Sequence, residues 1–114
     1  MTRYEVGEVI LFRVQFSDEI GGKQRPAVVV SSDAFFEIND DLLVIPITSQ
    51  LSDVVDASVA DWQEAGLVKP SALKWQIACV GSSLVVRSLG HLTEPDMATV
   101  RSAVRAMLSP KVLH

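Results

Sequence analysis

A guanidinium and a hydroxyl, each placed where an apolar strand begins or ends, are the groups in this sequence best suited to chemistry on an anion. Arg25 lies in Gly21-Gly22-Lys23-Gln24-Arg25-Pro26, where a polar loop enters a hydrophobic run. Proline after arginine biases Arg25 toward extended backbone, which sets where its side chain leaves the junction. A guanidinium can hold a phosphate through two parallel hydrogen bonds and keeps its charge at any physiological pH. The plain alternative is a surface arginine flanking a strand. Thr48 ends the run Asp41-Leu42-Leu43-Val44-Ile45-Pro46-Ile47-Thr48 and is followed by Ser49-Gln50. Its hydroxyl could donate to a phosphate oxygen, or tie down its own backbone as threonines at strand ends commonly do.

Other reactive constellations are missing from the sequence. His91 and His114 have no metal-ligand spacing with a second His or Cys, and Cys79 is the single cysteine, so neither a zinc site nor an internal disulfide is expected. Gly21-Gly22 is a turn signal and not a phosphate-binding loop, and no serine sits in a Gly-x-Ser-x-Gly elbow. The sequence thus offers no motif that calls for a zinc or copper ion or another cofactor. Trp62 and Trp75 are able to stack on nucleic-acid bases, although tryptophan at this density more often fills a core or a dimer interface.

The elements that must position these groups follow from periodicity. Glu8–Phe16 alternates, with Ile10, Phe12, Val14 and Phe16 on one face, and reads as a half-buried strand. Ser17–Gln24 reads as a mobile loop. Pro26–Ser31 is β-branched throughout its centre and reads as a strand buried on both faces, with proline tolerated at its start. Asp41–Thr48 is a similar strand in which Pro46 predicts an edge, a bulge or a bend. Asp61–Ala65 fits one helical turn stopped by Gly66, Ser71–Val80 a further strand, and Leu84–Leu92 a shorter one broken at Gly90. The clearest helix starts at Thr93, with Asp96 in an approximate capping box. Met97, Val100, Val104, Met107 and Leu108 form its apolar stripe, and Ser109-Pro110 ends it. Short strands followed by one C-terminal helix predict a mainly β chain: a small, strongly bent antiparallel barrel with the helix packed alongside.

Composition sets the outer bounds. At 114 residues and 48% hydrophobic content, residues 1–114 are expected to form a single domain with one core. No run approaches the roughly 18–20 apolar residues of a membrane span, and Met1–Glu5 lacks the apolar block of a signal peptide, so a cytoplasmic protein is expected. The net charge of −4 argues mildly against nucleic acid, but its distribution is uneven. Residues 26–68 carry eight carboxylates and no Lys or Arg, whereas Lys69, Lys74, Arg87, Arg101, Arg105 and Lys111 face only Glu94 and Asp96 beyond them. Such asymmetry allows a local anion-binding surface on an acidic protein, as it also allows charges merely scattered over a solvated surface.

Taken in order, Gly7-Glu8-Val9-Ile10-Leu11, Gly22-Lys23-Gln24-Arg25-Pro26-Ala27-Val28-Val29-Val30-Ser31 and Ile45-Pro46-Ile47-Thr48-Ser49-Gln50 resemble the MazF/PemK toxins of type II toxin–antitoxin modules. Trp62-Gln63-Glu64-Ala65-Gly66-Leu67, Lys69-Pro70-Ser71 and Leu89-Gly90-His91-Leu92 look like a PemK-like branch, and the similarity runs from about Gly7 to Leu108. The resemblance implies an SH3-like barrel of the CcdB/MazF/PemK type, paired as a homodimer. It further implies a metal-independent, sequence-selective endoribonuclease acting on single-stranded RNA and silenced by a cognate antitoxin. The family's catalytic arginine matches Arg25 and its catalytic threonine matches Thr48. Lys23, Gln24, Gln50, Lys69, Lys74 and Gln76 make up the implied RNA-binding set, with Arg87 as a further cation. Two departures are visible: Leu73–Ile77 has no aspartate beside Gln76, where many relatives carry one, and the acidic block of residues 26–68 must lie off the RNA path.

The residue types suit that chemistry. Attack by the neighbouring 2′-hydroxyl builds charge on the phosphoryl oxygens, which a fixed guanidinium and hydroxyl can stabilise. A guanidinium holds its own proton too tightly to be an easy base, so Asp18, Glu19 or Gln24 would have to accept or orient the proton. DNA, without a 2′-hydroxyl, cannot react this way. A second function class shares the fold: a binding module that poisons a protein, as the gyrase poison CcdB does.

Overall fold

The computed structural model describes residues 4–14, 23–51 and 57–109. The elements run β1 (Glu8–Val14), β2 (Lys23–Val29), α1 (Asp33–Asn39), β3 (Asp41–Thr48), β4 (Ser58–Val59), β5 (Ser71–Leu73), β6 (Ala78–Gly81), a 3-10 turn at Ser82–Leu84, β7 (Val85–His91) and α2 (Glu94–Leu108). All pairings are antiparallel in the order β4-β5-β3-β2-β1-β7, and β6 also pairs with β3. The sheet curls into a half-barrel, the mainly β class expected from the sequence.

Alternation along the central strands feeds two apolar clusters, one on each face. Val9, Val28, Ile45 and Ile47 join Leu73, Leu92, Met97 and Val100 under α2. Ile10, Phe12, Ala27, Val29, Leu42 and Val44 join Phe36 of α1 and Val80 on the other side. The β2–β3 register keeps the faces matched, pairing Val28 with Ile45 and Val29 with Val44. Each such side chain, taken fully out of water, contributes about 1.5–3 kcal/mol. β2 is therefore buried on both faces where its β-branched run predicted it. β1 is more buried than its pattern predicted, because Val9 is as inaccessible as Ile10. Phe16 lies outside the described residues.

Several boundaries differ from the sequence expectation, each for a physical reason. β2 begins at Lys23, so Pro26 is inside the strand and not at its start. In antiparallel strands the N–H and C=O of one residue point to the same neighbour. The bond from Val30 N–H to the Leu43 carbonyl, 2.9 Å, assigns the even positions of β2 to β3. Pro26 would thus face β3, one step past the last paired position, Ala27 with Pro46. Pro46 is likewise interior to a strand paired on both sides, and not at a sheet edge. Its carbonyl accepts the Lys74 N–H at 2.9 Å, so its missing N–H faces the edge where β3 changes partner from β6 to β5. That change splits the single strand expected over Ser71–Val80 into β5 and β6.

α1 has no counterpart in the sequence reading. The Ser32 hydroxyl caps it by accepting the Phe35 N–H at 3.2 Å, and Asp40 closes it in a left-handed conformation. The turn at Asp61–Ala65 forms as expected, with Ala65 N–H donating to the Asp61 carbonyl at 3.1 Å. Gly66 then turns at φ +88 so close to β7 that a Cβ there would lie 2.1 Å from the Leu89 carbonyl oxygen. β7 is continuous through Gly90, where a side chain would meet the Ala65 carbonyl at 2.7 Å. The two backbones pack against each other, and glycine marks this contact and not a break.

α2 spans the expected segment, but its start is built differently. Thr93 makes no capping bond. Its hydroxyl donates to Asp61 Oδ2 at 2.5 Å, and Asp96, only 2% exposed, accepts the N–H groups of Ala60 and Asp61 at 2.8 and 2.9 Å. The acid of the supposed capping box thus staples the 60–66 turn to the helix. On the stripe, Met97 and Val100 are buried and Val104 and Met107 pack at its border, while Ala103 is buried in place of the exposed Leu108.

Candidate active site

β2 and β3 carry the two groups that the sequence singled out. The register pairing Ala27 with Pro46 places Arg25 level with Thr48 when extended by two residues, and alternation puts both on the same face. On the other side of β3, Thr48 pairs with Ala72. Two residues on, Lys74 lies opposite Pro46 through its N–H bond, so a second cation stands beside the same stretch of β3. Arg25 is exposed and has no ion-pair partner among the described residues. No carboxylate among the described residues neutralises its guanidinium.

Pro26 shapes the surroundings. Pro26 has no N–H to give β3, so the β2–β3 ladder ends beside Arg25 and Thr48. Thr48 Oγ1 accepts the Gln50 N–H at 3.0 Å. That bond is the backbone tie anticipated for a strand-end threonine, yet it leaves the hydroxyl hydrogen available to donate. The tie therefore orients the group without using its proton.

The other candidates fall around this pair. Lys23 is two residues before Arg25 on the same face of β2. Gln24 pairs with Arg13 of β1, and alternation sends both to the opposite face. Gln50 is exposed just past Thr48, and Lys69 is exposed before β5, its carbonyl accepting the Ser71 hydroxyl at 2.7 Å. Gln76 is exposed in the 74–77 segment that links β5 to β6. Arg87 is exposed on β7, opposite Leu11. Asp18 and Glu19 lie outside the described residues, as does most of the 17–24 loop; Lys23 and Gln24 belong to β2. Trp62 packs against the α2 cluster, whereas Trp75 is 55% exposed.

Among the described residues no three His, Cys, Asp or Glu side chains gather as metal ligands, and no helix is long and apolar enough to cross a membrane. Cys79, exposed on β6, has its thiol pKa pushed up, first by local desolvation and then by the neighbouring Asp41 carboxylate. This raises the thiol away from the reactive range and sets it apart from activated cysteines. Sequence reasoning missed the Asp96 staple. An acid three residues into a helix looks like a cap, and only the fold shows that it faces another segment.

A family model described as PemK-like, MazF-like toxin of type II toxin–antitoxin system matches residues 5–108. Among solved structures, MazE-MazF (Form-III) from Deinococcus radiodurans aligns with a TM-score of 0.74 at 18% identity, over 95% of this chain and 98% of that one. An endoribonuclease in complex with its cognate antitoxin from Mycobacterial species aligns at 0.66 and 16% identity, over 99% and 100%. The Mycobacterium tuberculosis toxin MazF-mt6 aligns at 0.65 and 17%, over 90% and 99%. At these identities the likeness is one of fold. No curated protein matches the chain.

Proposed function

Because this chain belongs to the PemK-like, MazF-like toxin family of type II toxin–antitoxin systems, we propose that it is a metal-independent, sequence-selective endoribonuclease that cuts single-stranded RNA at a phosphate held by Arg25 and Thr48. The observation that carries this reading is the β2–β3 register. It sets an exposed guanidinium, unpaired among the described residues, level with an oriented hydroxyl on one face, at the end of a ladder that Pro26 cannot extend.

In the proposed reaction the 2′-hydroxyl oxygen attacks the adjacent phosphorus and loses its proton to a base. The bond from phosphorus to the 5′-oxygen breaks, and that oxygen takes up a proton. The products are a 2′,3′-cyclic phosphate and a free 5′-hydroxyl. Arg25 binds two phosphoryl oxygens and Thr48 donates to one as their charge grows, so neither changes protonation state. Because the nucleophile belongs to the substrate, the step needs no activated water. Lys23 and Lys74 hold neighbouring phosphates. Gln50, Lys69 and Gln76 add contacts at the ends of β5 and β3, and Gln24 adds one where RNA passes around the end of β2. A cognate antitoxin and a second copy of the chain are the protein partners in this reading.

The test is incubation of the purified protein with single-stranded RNA, and with DNA of the same sequence, in excess chelator. The expected result is RNA cut at a short preferred sequence, ending in cyclic phosphate and 5′-hydroxyl, with DNA untouched. Cleavage only with added divalent metal, 5′-phosphate ends, or inhibition of a topoisomerase with RNA left intact would each overturn the proposal.

A further inference from the structure

Lys23 and Lys74 flank Thr48 from opposite sides, on the face that carries Arg25. Thr48 pairs with Ala72, so Lys74, two residues further on, is its diagonal neighbour across β5. Lys23, two residues before Arg25, is its diagonal neighbour across β2, where pairing with Val14 of β1 holds the backbone. Diagonal neighbours of this kind lie about 7–8 Å apart. β2 and β5 both run antiparallel to β3 and so run the same way as each other. Lys23 precedes the level of Thr48 and Lys74 follows it, so the two are displaced in opposite directions along the sheet. Lys23, Thr48 and Lys74 therefore fall on one straight diagonal, with the Arg25–Thr48 pair at its centre.

The described carboxylates keep off this line. Its neighbouring strand positions on the same face are Phe12, Val14, Ala27, Pro46 and Ala72. Within residues 26–68, Asp33, Glu37, Asp40 and Asp41 belong to α1 or its junction with β3. β3 is eight residues long, so its first residue, Asp41, lies about 23 Å from Thr48. Asp61 and Glu64 sit in the turn stapled to α2, and Ala65 of that turn packs in the cluster on the other face. Asp53 and Asp56 lie outside the described residues. An acidic chain thus presents a cationic line across three adjacent strands.

Even spacing of cations along a line suits a polyanion with evenly spaced charges. One diagonal step, about 7–8 Å, is close to the repeat of an extended nucleic-acid strand, and the flexible lysine stems absorb the difference. Resting on the nuclease reading above, we propose that RNA crosses the sheet along this diagonal, with three successive phosphates on Lys23, on Arg25 with Thr48, and on Lys74. Beyond holding neighbouring phosphates in general, the two lysines then grip opposite sides of the cut, one 5′ and one 3′ of it. The preferred substrate is an RNA with a charged phosphate on both sides of the scissile one. A linkage at either end of a strand lacks one anchor, so cleavage is internal.

The test uses a short RNA bearing the preferred cut sequence. In two derivatives an uncharged methylphosphonate replaces the phosphodiester immediately 5′ or immediately 3′ of the scissile one. The two nucleotides whose 2′-hydroxyls would attack those linkages carry 2′-O-methyl ribose, as they do in a fully charged control. With wild type, each derivative should show kcat/KM about 5-fold or more below the control. Lys23→Ala should be indifferent, within about 2-fold, to one neutral linkage, and Lys74→Ala to the other, because the anchor that met the missing charge is gone. Each variant should also lower the slope of log Kd against log salt by about 0.7 for the uncleavable 2′-deoxy analogue. The wild-type comparison needs no variant, so it stands even if a substitution disturbs folding. Neutral linkages cut as fast as charged ones, or both variants answering to the same linkage, would overturn the diagonal path. Wild-type cleavage of the unmodified RNA would leave the nuclease reading intact in either case. If wild type leaves that RNA uncut, both fall.

Discussion

Arg25 on β2 and Thr48 on β3 stand level on one face of the sheet, one step past Pro26, the residue that has no N–H to give β3. The ladder ends where the two side chains begin, so neither is spent on holding the strands together. A hydroxyl oriented by its bond to Gln50, beside a cation carried on the held backbone of β2, needs little reorganisation as phosphoryl charge develops.

Arg25→Ala is expected to lower cleavage about 100- to 1,000-fold, the usual loss of one preorganised electrostatic donor. Thermal unfolding should be unchanged, since the side chain is exposed and unpaired within the described residues. Arg25→Lys keeps the charge but not the bidentate grip, so it should recover only part of the rate. Single-turnover cleavage assays with parallel melting curves check both.

Thr48→Ser should retain most activity, because it keeps the hydroxyl that accepts the Gln50 N–H. Thr48→Val keeps the shape and removes the donor, and should lose about 10- to 150-fold, the worth of one hydrogen bond to a charged group. Equal rates for the Ser and Val variants would show that the hydroxyl does not touch the reacting phosphate.

Asp96→Ala should destabilise the fold by about 2–5 kcal/mol in urea unfolding. It strands two N–H groups, of Ala60 and Asp61, that now donate to a nearly inaccessible carboxylate. Asp96→Asn keeps one acceptor oxygen but presents an amide N–H to the second donor, so its loss should be intermediate. Cleavage by either variant, below its unfolding midpoint, should remain near wild type.

Cys79 should alkylate slowly at pH 8. Its raised pKa leaves less thiolate at any given pH than an ordinary cysteine would have, and the rate should climb only in more alkaline buffer. Asp41→Asn removes the neighbouring negative charge and should speed the reaction at fixed pH, as mass spectrometry of iodoacetamide adducts can follow.

The parts of this fold legible in the sequence are those whose pattern is complete within one element. Asp41–Thr48 was bounded at both ends because its apolar run lies between acidic and polar neighbours, and α2 declared itself through Met97, Val100 and Val104. α1 escaped notice because seven residues with Phe36 alone buried leave no periodicity to detect. The split between β5 and β6 was invisible for a different reason: it arises from a change of partner along β3, which no local pattern in 71–80 records. Within the site, Arg25 and Thr48 were found by residue type and by likeness to a family. That they share a face could come only from pairing, and Trp75 needed the fold to separate it from Trp62.

Pro46 has an effect beyond its own strand. Because it has no hydrogen to return to Lys74, that rung carries one bond and not two, and the three residues 75–77 travel outside the ladder before β6 resumes pairing. Substitutions or changes of length in that excursion can therefore alter what the surface grips without disturbing the framework that holds Arg25 and Thr48. Under the proposed nuclease reading, related chains would change target preference in that excursion while Arg25 and Thr48 keep their places.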